Sequence, residues 1–309
     1  MNCARAILHT LLLAASLAAA VTLTVMMNWE WTVFYILAAA VMVLWLGVRR
    51  KRGCAYALAV FILAVGGFYA LLTPEQQFRG SRWETSCARK PQVRKLDGRR
   101  FEFRDVRDFR YRTEHDFDVR YRNEIYDVDK LESLDLALSH WDGMDNIAHM
   151  MLCFNFSDGK SAALSVEMQC PQGTSRDYYT TLFKQHGLIY IWAPPEDLFD
   201  LRSNYRTGEA LYRYRTTATQ AEVKQLFVLL AERTADLYGH LEFYRTVRSN
   251  CTTELLPYLK AVRPDLQWDY RVLLNGTIDR MFFEQGFLRH KPGESFESLR
   301  AGSIVRNRP

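Results

Sequence analysis

The side chains in this sequence best suited to covalent chemistry are a cysteine and a histidine, in the stretches Asn250-Cys251-Thr252-Thr253 and Ile147-Ala148-His149. An asparagine side-chain oxygen accepts from backbone N–H groups two and three residues on, so Asn250 is expected to cap a helix whose first turn holds Cys251. Unpaired N–H groups and the positive end of the helix dipole favour a thiolate there, and a thiolate is a nucleophile. Pro257 removes a backbone donor and should kink or restart the segment a turn and a half later. The plainer readings of Cys251 are a small buried hydrophobe or half of a disulfide.

A thiol needs a base, and the elements around His149 decide whether it can serve. The runs 146–156 and 161–168 flank Ser157-Asp158-Gly159-Lys160, a strong hairpin signal. With Asp158-Gly159 as a two-residue type I′ loop, Ser157 faces Lys160 and His149 faces Met168. That register puts His149, Met151, Cys153 and Asn155 on one sheet face, and Ser165 and Glu167 on the other. The plainer reading of His149 is a hydrogen-bonded structural histidine.

The surrounding pattern predicts an α+β domain, an antiparallel sheet packed against helices. Period-two alternation over 100–111 and 121–131 reads as strands, as do the runs 188–192 and 210–215. A helix is expected over 178–185, and a helical turn after Pro194-Pro195. Thr219 and Glu222 have capping-box spacing, and Val223, Leu226, Phe227, Leu230 and Leu237 recur on one helical face. Residues 269–278 read as helix interrupted at Asn275-Gly276.

Charge is distributed unevenly along the 309 residues. The first 73 or so are nearly uncharged and hold three apolar runs, at about 6–26, 31–48 and 55–72, each near the ~20 residues that cross a bilayer. They are expected to form a transmembrane anchor, residues 1–75. The first run could alternatively be a signal peptide. Arg5 and the cluster Arg49-Arg50-Lys51-Arg52 should stay cytoplasmic, which exports residues 76–309 as a Cys/His domain. The expected location is the bacterial inner membrane, N-terminus inside and C-terminal domain in the periplasm. Disulfides are permitted there, and Cys87 with Cys170 is the first pairing to consider. The net charge of +5 decides little. The chain holds no Gly-rich phosphate loop, no His-x-x-x-His and no Cys-x-x-Cys, so no cofactor, metal, nucleotide or nucleic-acid partner is expected.

The order of histidine and then cysteine looks like a circularly permuted papain-like thiol enzyme. More closely, residues from about 101 to 301 resemble the Lnb-type N-terminal periplasmic domain family of bacterial envelope proteins. The likeness is carried by Ile147-Ala148-His149, Phe156-Ser157-Asp158-Gly159, Ser165-Val166-Glu167, Leu188-Ile189-Tyr190, Leu201-Arg202-Ser203-Asn204-Tyr205-Arg206, Asn250-Cys251-Thr252-Thr253, Asp279-Arg280 and Glu284-Gln285-Gly286. The resemblance implies acyl transfer to a lipoprotein amine, with Cys251 as nucleophile and His149 as base. Asn250, Glu167, Asn204 and Arg206 are supporting candidates. The sequence departs from the family pattern at His140 and at Met168-Gln169.

Together these readings point to a membrane-anchored thiol acyltransferase or hydrolase acting on a lipid or lipoprotein acyl group. The alternatives are a cell-wall peptide amidase or peptidase, and a non-enzymatic envelope scaffold with an inactive papain-like fold.

Overall fold

The computed structural model describes residues 73–175, 180, 184–246, 248–267 and 269–305. The three expected spans and most of the expected helix 178–185 lie outside the described residues. Among the described residues no helix is long and apolar enough to cross a membrane. The chain divides into two units, residues 1–81 with 173–185, and residues 82–172 with 186–309. In the first, Thr73 and Gln76 form a reciprocal capping box that opens the short helix Pro74–Gln77.

The second unit is a mixed α/β domain built on antiparallel sheets. A three-stranded sheet joins β1 (Gln92–Lys95), β2 (Arg100–Arg107) and β5 (Tyr121–Asp127), and β3 (Arg110–Tyr111) pairs with β4 (Phe117–Asp118). The main sheet has the order β10-β6-β7-β8-β9, from β6 (Leu131–Trp141), β7 (Ala148–Phe156), β8 (Ser161–Gln169), β9 (Gly187–Ala193) and β10 (Glu209–Arg215). Strand β6 went unrecognised in the sequence, because Ser133, Asp135 and Ser139 interrupt its apolar run with polar groups that the fold then buries or pairs.

Helix α2 (Gln220–Gly239) starts at the expected capping box and covers one face of the main sheet. Its buried stripe includes Val223, Leu226, Phe227, Leu230 and Leu237. Phe227 meets Phe154 and Phe156 of β7 and Trp192 of β9 edge-on, at 5.2, 5.8 and 5.6 Å between ring centroids. The Trp192 indole N–H donates to Thr234 Oγ1 on the same helix at 2.9 Å.

The opposite face of the sheet carries Ala137, Met151, Cys153, Ala163, Ile189 and Ile191 and packs on α1 (Pro195–Asp200). This helix is anchored by a buried ion pair: Arg107 donates to Asp197 at 2.6 Å, and Asp197 also accepts from the Phe109 N–H at 2.7 Å. It runs into a π-helical turn, Leu201–Tyr205, closed by the Arg206 N–H bonding to the Leu201 carbonyl. Short helices α3 (Leu256–Val262), α4 (Ile278–Glu284) and α5 (Phe296–Gly302) complete the unit, and the interrupted segment 269–278 forms two 3-10 turns rather than one helix.

Candidate active site

The β7–β8 hairpin has a different register from the one its turn residues suggest. Phe156 bonds to Lys160 across the turn, so the loop holds three residues, and only Gly159 takes a positive φ, 83°. A type I turn followed by a left-handed glycine is a normal three-residue hairpin loop. Met151 therefore faces Ser165 rather than Val166. Continued outward, the same count sets His149 against Glu167. One residue of slip moves a strand's entire set of side chains to the other face. His149, Ser165 and Glu167 consequently share a face, correcting the expectation that separated them.

His149 Nε2 lies 2.6 Å from Ser165 Oγ and 3.2 Å from Glu167 Oε1, and Ser165 Oγ donates to Glu167 at 2.7 Å. An Nε2–H donated into this pair leaves Nδ1 as the ring nitrogen available to the neighbouring Cys251. Beyond Glu167 the polar chain continues. Arg202, from the π-helical turn, donates to Glu167 Oε1 at 2.8 Å and to the Leu198 carbonyl at 2.9 Å. Its Nε lies 3.9 Å from Glu209, which accepts from Arg206, Ser139 and the Trp141 indole. Arg206 also pairs with the partly exposed Glu114 at 3.0 Å. From the thiol outward, groups of opposite sign alternate through Cys251, His149, Glu167, Arg202, Glu209, Arg206 and Glu114.

Cys251 is held by a turn rather than by a long helix. Asn250 Oδ1 accepts from the Thr252 N–H at 2.9 Å, the Thr253 N–H at 2.8 Å and the Thr253 hydroxyl at 3.0 Å. The expected cap is present, but residues 251–255 form turns, and the helix proper starts at Leu256 with Pro257 in its first turn. The turn is pinned from three sides. Glu254 accepts from the Tyr190 hydroxyl of β9 at 3.0 Å and from Arg233 of α2 at 3.0 Å. Asn275 accepts from the Ala148 N–H at 2.9 Å and donates to Thr252 Oγ1 at 2.7 Å, with its Nδ2 3.6 Å from the Cys251 sulfur. Gly276 permits this approach: a Cβ there would sit 2.1 Å from the Asp145 carbonyl oxygen.

The electrostatics follow from this packing. Burial raises the cost of a Cys251 thiolate, but the His149 charge and hydrogen bonds from His149, the Met150 N–H and Thr252 outweigh it, and the thiol is held below its ordinary value. Burial also disfavours a charged His149, yet Glu167 and Cys251 together raise it to about 9. Against burial, His149, Arg202 and Ser165 hold Glu167 well below the usual carboxylate range. Cys153 is the contrast: with burial opposed less effectively by Arg213, its thiol is pushed up to about 12. The cause that lowers Cys251 is thus a specific cation, not the helix terminus expected from the sequence.

Tyr244 completes the immediate surroundings. Its hydroxyl neighbours Cys251, and burial together with Cys251 and Glu167 raises its pKa. Tyr244, Ser165, Arg202 and Asn275 were not singled out as site residues in the sequence; an aromatic residue ahead of Asn-Cys was the signal for the first. Of the supporting candidates, Glu167 contacts His149, and Asn250 holds the turn that carries Cys251. Arg206 stands further out along the charged row. Asn204 accepts from its neighbour Ser203 and does not orient His149. Cys87 and Cys170 are adjacent, the Cys170 N–H donating to Cys87 Sγ at 3.1 Å.

No curated protein and no solved structure matches this chain. A family model does, over residues 117–276, a stretch that holds both His149 and Cys251, and the chain belongs to the Lnb N-terminal periplasmic domain family.

Proposed function

We propose that this protein is a thiol acyltransferase or hydrolase of the cell envelope, in which Cys251 attacks an acyl ester held at the membrane surface. The observation that carries the reading is the Cys251–His149–Glu167 chain, a lowered thiol beside a raised imidazole that a half-buried carboxylate orients. The domain organisation we propose is an anchor over residues 1–75 and a periplasmic Cys/His domain of permuted papain-like type over 76–309.

The thiolate sulfur bonds to the ester carbonyl carbon, and the carbonyl π electrons move to oxygen. The Tyr244 hydroxyl and Asn275 Nδ2 are the donors placed to hold that oxyanion. The Thr252 and Thr253 N–H groups are occupied by Asn250, so these two backbone donors are not the source. The carbon–oxygen bond then breaks as His149 gives its proton to the leaving alkoxide, yielding a thioester. An amine, or water in the hydrolytic case, attacks the thioester. His149 takes its proton, and the thiolate leaves.

A disulfide at Cys251 or a distant His149 would favour the scaffold reading. Cys251 is instead a thiol with His149 against it. The test is to incubate the full chain in vesicles with a fluorescent acyl phospholipid and look for a hydroxylamine-labile protein adduct. Wild type should form the thioester, Cys251→Ser should form none, and His149→Ala should slow it by roughly 10²–10⁴. A wild-type protein that forms no adduct but cleaves cell-wall peptide would replace this reading with the amidase one.

A further inference from the structure

Nine large apolar side chains stand exposed among the described residues, and four of them, Met144, Tyr270, Leu273 and Leu274, lie on two loops that meet beside the site. The meeting point is Gly276: its N–H donates to the Asn146 carbonyl at 3.1 Å, and a Cβ there would fall 2.1 Å from the Asp145 carbonyl oxygen and 2.7 Å from the Ile147 nitrogen. The adjoining Asn275 reaches the Cys251 sulfur. Tyr270 is 72% exposed, Met144 53%, Leu273 51% and Leu274 49%. Exposed apolar side chains of this size on two adjoining loops suit an interaction surface.

From this rim we infer that the domain docks on a lipid bilayer, with Met144, Tyr270, Leu273 and Leu274 entering the boundary between headgroups and acyl chains. The inference rests on the membrane-anchored reading above. The occupant is argued from the chain itself: the 72 residues ahead of the described structure carry three apolar runs of bilayer-spanning length, so a membrane is the one surface this domain would always have beside it. The polar surroundings suit a headgroup layer. Arg245 and Arg248 are exposed on the loop that carries Tyr244 to Cys251, and neither makes an ion pair among the described residues. Arg271, inside the rim, is already spent on Asp269 and Glu284. Asp142 and Asp145 stand exposed beside Met144. Unpaired arginines draw anionic headgroups, and the flanking carboxylates suit the amines of zwitterionic ones. A tyrosine with its ring inserted and its hydroxyl wet belongs at the same depth. An acyl ester would then meet Cys251 without leaving the bilayer surface.

The experiment places the photoreactive residue p-benzoylphenylalanine at position 273 or 144 of the full chain, in vesicles of phosphatidylethanolamine and phosphatidylglycerol. Position 238, exposed on α2, serves as the control. Irradiation followed by intact-mass analysis should show phospholipid adducts at 273 and 144 and at least tenfold fewer at 238. Adducts that are absent, equal at all three positions, or formed with another protein would overturn the docking. The cross-link does not need the thiol, so the same adducts in Cys251→Ser protein would uphold the rim even where acyl transfer fails. A thioester formed without rim adducts would uphold the chemistry and sink the rim. A chain that fails to float with the vesicles would remove the anchored reading itself, and the rim with it.

Discussion

At Cys251 burial and charge act against each other, and a single neighbour decides the outcome. Iodoacetamide alkylation, followed across pH by peptide mass spectrometry, should therefore find Cys251 reactive below the ordinary thiol range. In His149→Gln the midpoint should move up past 9, because burial then acts without the imidazolium that opposes it. Cys153, pushed to about 12, should stay unlabelled in the folded protein and so provides an internal control. An unmoved midpoint in His149→Gln would mean that the ion pair is wrongly assigned. Glu167→Gln tests the next link. Without that charge the imidazole should titrate below its present value of about 9, and the alkaline fall of thioester formation should begin at lower pH. Cysteine, histidine and their order were legible from the sequence because residue type alone announces them. Tyr244 and Arg202 were not, since a tyrosine in an irregular loop and an arginine in a helical turn have many commoner uses.

At the scale of elements, the hairpin shows where sequence reasoning stopped. The Asp-Gly pair located the turn and both strands correctly, but loop length lies outside what that pair encodes, and one residue of loop decides which face Glu167 takes. The capping box of α2 and its apolar stripe were read correctly because both are local. β6 was missed because its buried polar residues are paired by partners far away in the chain, Arg213 with Asp135 and Glu209 with Ser139. The Cys251 turn allows a comparison of two devices by thermal denaturation. Asn250→Ala removes the cap and should cost about 1 kcal/mol. Gly276→Ala forces a methyl into the Asp145 backbone and should cost more, about 1–3 kcal/mol, with Asn275 displaced from the thiol. A Gly276→Ala protein as stable as wild type would show that the two loops are not in contact.

For the molecule as a whole, the thiol and imidazole make opposed contributions to stability against pH. A group raised from 6.5 to about 9, taken alone, contributes fully below 6.5 and loses its contribution as pH climbs to 9. A thiol lowered from 9.0 contributes fully above 9 and loses its contribution as pH falls through its folded value. Between 6.5 and 9 the unfolded chain holds one proton, on the thiol; wherever in that window the folded thiol is ionised, the folded pair also holds one, on the imidazole, and the two contributions offset each other. In Cys251→Ala the compensation disappears while Glu167 still raises His149, so the melting temperature should fall more steeply as pH rises above about 6.5 than it does in wild type. Equal slopes in the two proteins would place the proton elsewhere.

The alternating row from Cys251 to Glu114 carries four negative groups against three positive ones while the sulfur is a thiolate. Thioester formation neutralises one end of the row and leaves three against three. The imidazolium then loses one of the two anions that hold its proton, so acylation itself makes His149 a readier donor to the departing alcohol and a base for the acceptor that follows. The site would change its acid–base character by being loaded, with no residue moving. Thioester breakdown should accordingly rise with pH along a limb centred below about 9, measurable by acylating the enzyme at acid pH and following release of the acyl group after a jump to higher pH.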